Sequence, residues 1–216
     1  MASELKSAIV DAARTMYNEG LVVGSAGNVS ARAENDEAMH ITPTRVRYAD
    51  LTPADIVTVT FDGDPIESDG LPSSESLMHG AIYAARQDVR AVVHAHPIHA
   101  SAMAVRREAI PVFVDEQVVY LGGAVAVSAY APAASEELAD NAVAALGERR
   151  AVLLANHGTL AVGHDPEDAL EMTRLTERLA QIWLLASMRP GATHLPRGIV
   201  EAETELYRML QNEGGV

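Results

Sequence analysis

The stretch Arg90-Ala91-Val92-Val93-His94-Ala95-His96-Pro97 reads as a short buried strand that ends at a polar rim. Residues two apart on a strand share a face, so His94 and His96 stand side by side where Pro97 ends the ladder. Two imidazoles at that spacing are placed to grip one metal ion. Val152-Leu153-Leu154-Ala155-Asn156-His157-Gly158 repeats the arrangement, an apolar run delivering His157 to a strand end. Glu75, in Pro72-Ser73-Ser74-Glu75, is a fourth candidate, and three His with one carboxylate suit zinc. On spacing alone, ordinary structural histidines are an equal reading. His40, His79, His99, His164 and His194 have no partner at ligand spacing and are read as structural or solvated.

The chain has 216 residues, of which 48% are hydrophobic, enough for the core of one domain spanning 1–216. Its formal net charge of −14 argues against nucleic acid or an anionic membrane as partner, since both call for basic patches. A small anionic substrate is still compatible, because charges beyond a Debye length of about 8 Å are largely screened and local donors decide. The absence of Cys excludes disulfides, thiolate metal ligands and a cysteine nucleophile. The start of the sequence lacks the pattern of a secretory signal, and no run approaches the roughly 20 apolar residues of a membrane span. A cytoplasmic protein is expected.

Leu5, Ala8, Ile9, Ala12, Ala13 and Met16 repeat at helical spacing, and Gly20 is placed to stop that helix. A small-residue loop from Gly24 to Ser30 runs into a strand, and Ala38 to Ile41 and Ile56 to Phe61 read as further strands. Ser74 is expected to cap a helix reaching about Ala85 with Leu77, Ala81 and Ala84 on its apolar face. A helix is expected from Ile98 to Arg106, and residues 110–130 read as strand rather than helix. Ser135 opens a helix to Leu146. Asp165 and Pro166 start a long one whose buried stripe is Ala169, Met172, Leu175, Leu179, Ile182, Trp183 and Ala186. The tail after about residue 190 is expected to be partly mobile, with Leu195 to Leu210 able to form a last helix. Interleaved helices and strands imply a sheet covered on both faces.

Taken in order, Gly24-Ser25-Ala26-Gly27-Asn28-Val29-Ser30, Ile41-Thr42-Pro43-Thr44, Ser73-Ser74-Glu75, His94-Ala95-His96-Pro97 and Asn156-His157-Gly158 resemble the motifs of the class II aldolase/adducin family, in particular its L-fuculose-phosphate aldolase branch. The likeness runs from about residue 5 to 188. It implies an α/β fold, a three-layer α/β/α sandwich around a mixed, largely antiparallel sheet, and a homotetramer with intersubunit active sites. It also implies Zn2+ or another divalent cation held by His94, His96, His157 and Glu75, with Glu75 doubling as catalytic acid/base. Ser25, Gly27, Asn28, Thr44, Ser73 and Ser74 would bind substrate phosphate through hydroxyls and backbone N–H groups. The implied activity is retro-aldol cleavage of a ketose 1-phosphate. The family also holds decarboxylases of oxo acids, 4-epimerases, a dehydratase and the non-enzymatic adducin head.

Two positions depart from that branch. Arg45 stands where it typically has glycine after the threonine, and could reinforce the anion site bidentately, block it, or select a carboxylate instead. Asp115-Glu116 stand where the branch carries a tyrosine acting on the aldehyde oxygen of a neighbouring subunit. Both acids are candidates for substrate contact, and Tyr207 lies near the region of a second, C-terminal family tyrosine.

Overall fold

A computed structural model describes residues 2–33, 37–67 and 70–212. The chain runs α1 (Ala2–Asn18), β1 (Asn28–Arg32), β2 (Ala38–Ile41), a 3-10 turn (Pro53–Asp55), β3 (Val57–Thr60), β4 (Pro65–Glu67) and α2 (Ser76–Ala85). There follow β5 (Ala91–Ala95), α3 (Ile98–Arg106), α4 (Asp115–Leu121), β6 (Ala126–Val127) and α5 (Glu136–Leu146). The hairpin β7 (Ala151–Leu154) and β8 (Gly158–Gly163) precedes α6 (Pro166–Ala186) and α7 (Arg197–Asn212). Among the described residues the strands form one eight-stranded sheet of order β4-β3-β2-β1-β5-β8-β7-β6. Each neighbouring pair is antiparallel except β6 with β7.

Burial on both faces explains the continuous apolar run before His94, since a strand with helices above and below has no polar side. Val92 packs with Met78, Ile82 and Tyr83 of α2 and Leu138 of α5. Its neighbours Ala91, Val93 and Ala95 pack with Ile9 and Met16 of α1 and Ala169 of α6. A third cluster joins α3 and α6 to the far end of the sheet through Met103, Leu153 and Leu179. These layers are the expected α/β/α sandwich. No helix among the described residues is long and apolar enough to cross a membrane.

The structure corrects several local expectations. Helix α2 begins at Ser76, with Glu75 at its N-cap position, and Ser74 is exposed and caps nothing. Its buried face is Met78, His79, Ile82 and Tyr83, one position away from Leu77, Ala81 and Ala84. The bulkier side chains take the core, and a buried His79 hides that face from a hydropathy pattern. Residues 110–130 contain the short helix α4, ended by Gly122, and two residues of strand. Buried Gln117 ties that helix to the preceding loop by donating to the Ile110 carbonyl. In α6, Leu175, Ile182 and Trp183 are half-buried and Ala186 is exposed, while Thr173 and Thr176 are buried and donate to carbonyls one turn back. The tail forms α7, and residues 213–216 lie outside the described residues.

Helix α2 presses directly on the turn after β3. A Cβ on Gly80 would lie 1.8 Å from the Phe61 carbonyl oxygen. In an open helix Gly→Ala stabilises by up to about 1 kcal/mol. Here overpacking against backbone wins, and Gly80→Ala is expected to destabilise by about 1–3 kcal/mol. Denaturant unfolding checks this, and an unchanged or raised midpoint would contradict the close approach.

Candidate metal centre

His94 shares the parity of Val92 and therefore faces α2, and it is completely buried. The antiparallel register pairs Ala95 with Thr159, and the Thr159 carbonyl accepts the His94 Nδ1–H at 2.9 Å. This leaves Nε2 as the free nitrogen. His96 follows where the ladder ends, its backbone N–H donating to the Leu21 carbonyl. His157 occupies the three-residue turn between β7 and β8, where Asn156 takes a left-handed conformation (φ 56°). Gly158 permits the approach, because a Cβ there would stand 2.4 Å from the Ala95 carbonyl oxygen and 2.6 Å from the His96 ring. One ligand atom from each of the three imidazoles lies within 4.8 Å of the others.

Glu75 completes the cluster from the start of α2. Its Oε2 lies 3.0 Å from His94 Nε2, and its Oε1 lies 3.3 Å from His157 Nε2. The Asn28 side-chain amide donates to Oε2 at 3.0 Å. His94 and His96 bring their Nε2 atoms to 2.9 Å. With Nδ1 bound to Thr159, His94 Nε2 faces both the Glu75 carboxylate and His96. Nitrogen and carboxylate donors this close could hold a divalent cation, and the second-nitrogen bond to a carbonyl is the usual support of a metal-binding His. Burial pushes the Glu75 carboxyl up, but the His94 and His157 imidazoles and the Asn28 amide outweigh it and hold it well below the usual carboxylate range. Burial, then His94 and His157, pushes His96 down to about 4, and burial with His94 lowers His157. Neutral His96 and His157 beside an ionised Glu75 are the protonation states that a metal needs.

The loops expected to hold phosphate are paired with each other. Thr44 N–H donates to the Leu71 carbonyl, and Ser73 N–H donates to the Thr42 carbonyl. The Ser73 hydroxyl accepts the Glu75 N–H at 3.3 Å, linking this loop to the carboxylate. Ser25 and Ser74 are exposed, Gly27 is half-buried, and Asn28 is buried with its amide on Glu75. Arg45 has φ 65°, a conformation suited to glycine, and lines with Thr44 and Leu71 an open cavity of about 530 Å³. Asp115 and Glu116 are exposed on α4. Asp115 lies beside Glu203 of α7, and Glu116 lies 4.0 Å from Arg178 of α6; neither is among the described groups that touch Glu75. Tyr207 is buried, donating to the Glu148 carbonyl at 3.0 Å, and anchors α7.

Class II Aldolase and Adducin N-terminal domain is the description of the family model that matches residues 7–184. The chain belongs to this family. It is 37% identical over 183 residues to the L-fuculose phosphate aldolase of Escherichia coli K12, covering 84% of this chain and 83% of that one. It is 38% identical over 180 residues to the 5-methylthioribulose-1-phosphate/5-deoxyribulose-1-phosphate aldolase of Rhodospirillum rubrum, covering 83% and 80%. A solved structure of an L-fuculose 1-phosphate aldolase superposes with TM-score 0.89 at 33% identity, covering 95% of this chain and 96% of that one.

Sequence reading missed Thr159 and the role of Asn28. The register of β5 against β8 names the first, and the packing of α2 on β1 names the second; neither is written in a local motif. The electrostatics fix a pH response for the metal-free protein. His96 and the buried His79, pushed by burial to about 3, refuse protons that the unfolded chain accepts below about pH 6.5. Glu75, held low, acts in the same sense below its unfolded value. Stability should therefore fall steadily as pH is lowered from 7 toward 4. Thermal unfolding across that range checks it, and a constant midpoint would contradict the assignment of neutral buried imidazoles.

Proposed function

We propose that this protein is a zinc-dependent aldolase that cleaves a ketose 1-phosphate to dihydroxyacetone phosphate and an aldehyde. The observation that carries the reading is the convergence of His94, His96 and His157, with the Glu75 carboxylate against His94 and His157. The aldolase names of relatives 37–38% identical over most of both chains support the substrate class, an L-fuculose 1-phosphate-like or 5-deoxy-pentulose 1-phosphate sugar. The three imidazoles and Glu75 would hold the ion, with zinc the identity expected for a nitrogen-rich set. When bound, the metal polarises the substrate carbonyl and stabilises the negative charge left when a carbon–carbon bond breaks.

In the net reaction the C4 hydroxyl gives up a proton, the C3–C4 bond breaks, and a proton is added at C3. Glu75, oriented by the Asn28 amide, is the residue that moves the proton at C3. Thr44, Ser73, Ser74 and the loop of Ser25 and Gly27 bind the phosphate, and the Ser73 hydroxyl couples that loop to Glu75. We place the protein in the cytoplasm as a single-domain homotetramer whose active sites lie between subunits. The left-handed Arg45 on the phosphate loop, with no phenol at 115–116, favours decarboxylation of a phosphorylated oxo acid as second reading.

Product analysis on a panel of ketose 1-phosphates and oxo-acid phosphates tests this. Dihydroxyacetone phosphate from a ketose 1-phosphate is expected, and carbon dioxide from an oxo acid would turn the reading to decarboxylation. Elemental analysis should find about one zinc per chain, lost in His94→Ala/His96→Ala. Glu75→Gln should keep the metal while turnover falls by roughly 10²–10⁴. Turnover within a few-fold of wild type would remove Glu75 from proton transfer.

Arg45 supplies a separate test with opposite signs. Left-handed backbone costs a non-glycine residue about 1–2 kcal/mol, so Arg45→Gly should raise the unfolding midpoint. If the guanidinium contacts the substrate anion, both Arg45→Gly and Arg45→Ala should weaken substrate binding by about 1.5–3 kcal/mol. Unchanged KM in both variants would take the side chain out of the site.

A further inference from the structure

Behind the metal centre, α2 and β1 are joined by two polar rungs. Asn28 and Ser30 are two apart on β1 and share a face, while Glu75 and His79 are four apart at the start of α2 and lie one turn from each other. The first rung is Asn28 to Glu75 at 3.0 Å, and the second is Ser30 Oγ to His79 Nδ1 at 2.6 Å. Ser30 Oγ also lies 2.8 Å from the Tyr83 hydroxyl. All three partners of the second rung are buried, His79 completely. The other ring nitrogen, His79 Nε2, is buried with no hydrogen-bond partner among the described residues. A buried polar atom left unpaired costs about 1–3 kcal/mol, and a buried histidine with one satisfied nitrogen calls for an account.

Two proton arrangements fit these distances. Run one way, Tyr83 O–H donates to Ser30, Ser30 O–H donates to His79 Nδ1, and the ring proton sits on Nε2. Run the other way, the proton on Nδ1 is used up on Ser30 and a bare Nε2 lone pair is left buried one helical turn from Glu75. Glu75 is the anion whose field reaches His79. The negative charge of Glu75 favours the first arrangement. We infer that His79 is a positioning residue for Glu75: its Nε2–H, held in that tautomer by Ser30 and Tyr83, steadies the carboxylate from one helical turn behind.

This inference rests on the proposed retro-aldol reading, and the two fail separately. Wild-type turnover on the ketose 1-phosphate panel decides the reading. The variants and the tautomer decide the role of His79. With metal-loaded enzyme, His79→Leu removes the N–H while keeping an apolar side chain, and it is expected to lower kcat about ten- to a hundredfold, the usual scale for a group that supports a metal ligand. KM and bound zinc should stay within about threefold of wild type. His79→Gln places an amide N–H near the position of Nε2 and should restore kcat to within about fivefold. A merely structural role would move the unfolding midpoint without this split or this rescue. If His79→Leu does not fold, Ser30→Ala, which frees the tautomer, should lower kcat at unchanged zinc content. Wild-type kcat in a folded, zinc-loaded His79→Leu or Ser30→Ala variant would overturn the inference, as would failure of His79→Gln to restore activity. Independently of turnover, ¹⁵N chemical shifts of the imidazole should report the proton on Nε2, and a proton on Nδ1 would also overturn it.

Discussion

The register between β5 and β8 is the constraint on which the site depends. It sets Ala95 opposite Thr159, so that the Thr159 carbonyl receives the His94 Nδ1–H and turns the other nitrogen toward Glu75. The same ladder brings the turn before Gly158 beside the end of β5, which is how His157 reaches the pair at 94 and 96. Side chains alternate with a period of two, so a slip by one residue would move His94 to the face covered by α1 and α6. Gly158 is what lets the two backbones come so close.

The second support is the seam between α2 and β1. Glu75 is held by an amide from β1 rather than by its own helix, and it takes the N-cap position without making the side-chain cap expected of a residue there. The carboxylate is thereby turned inward to the imidazoles, and the first turn of α2 is anchored through the Ser73 hydroxyl. Fold and chemistry share these contacts. Asn28, Ser30, His79 and Tyr83 spend buried polar groups along a face that apolar residues could have filled more simply.

The far end of the chain is organised differently. Arg174 joins Glu19, Glu167 and Glu171 on the surface, where such pairs contribute little to stability. Glu177 of α6 accepts the backbone N–H groups of His99 and Ala100 and the His99 ring proton, satisfying the start of α3 from another helix. This fastens the segment that follows His96 and Pro97 to the long helix, so the exit from the metal centre is as fixed as the entry. Tyr207 does the same for α7, buried against α4 with its hydroxyl on the Glu148 carbonyl.

Elements whose signals are local were legible in the residues alone. The apolar run ending at Pro97 marked β5, with His94 in it and His96 just beyond, Asp165-Pro166 marked the start of α6, and Ser135 marked α5, where its hydroxyl accepts the Leu138 N–H. The ordered motifs also placed His94, His96, His157 and Glu75 in one candidate set. Only the tertiary structure decided which face α2 buries, that 115–121 is helical, and that Asn28 serves Glu75. It also put Asp115 beside Glu203 of α7 and the Tyr207 hydroxyl on the Glu148 carbonyl. The physical reason is the same in each case. Periodicity and caps act within a few residues, whereas the partner of a buried polar group comes from a strand or helix tens of residues away, and only the packed sheet says which one arrives.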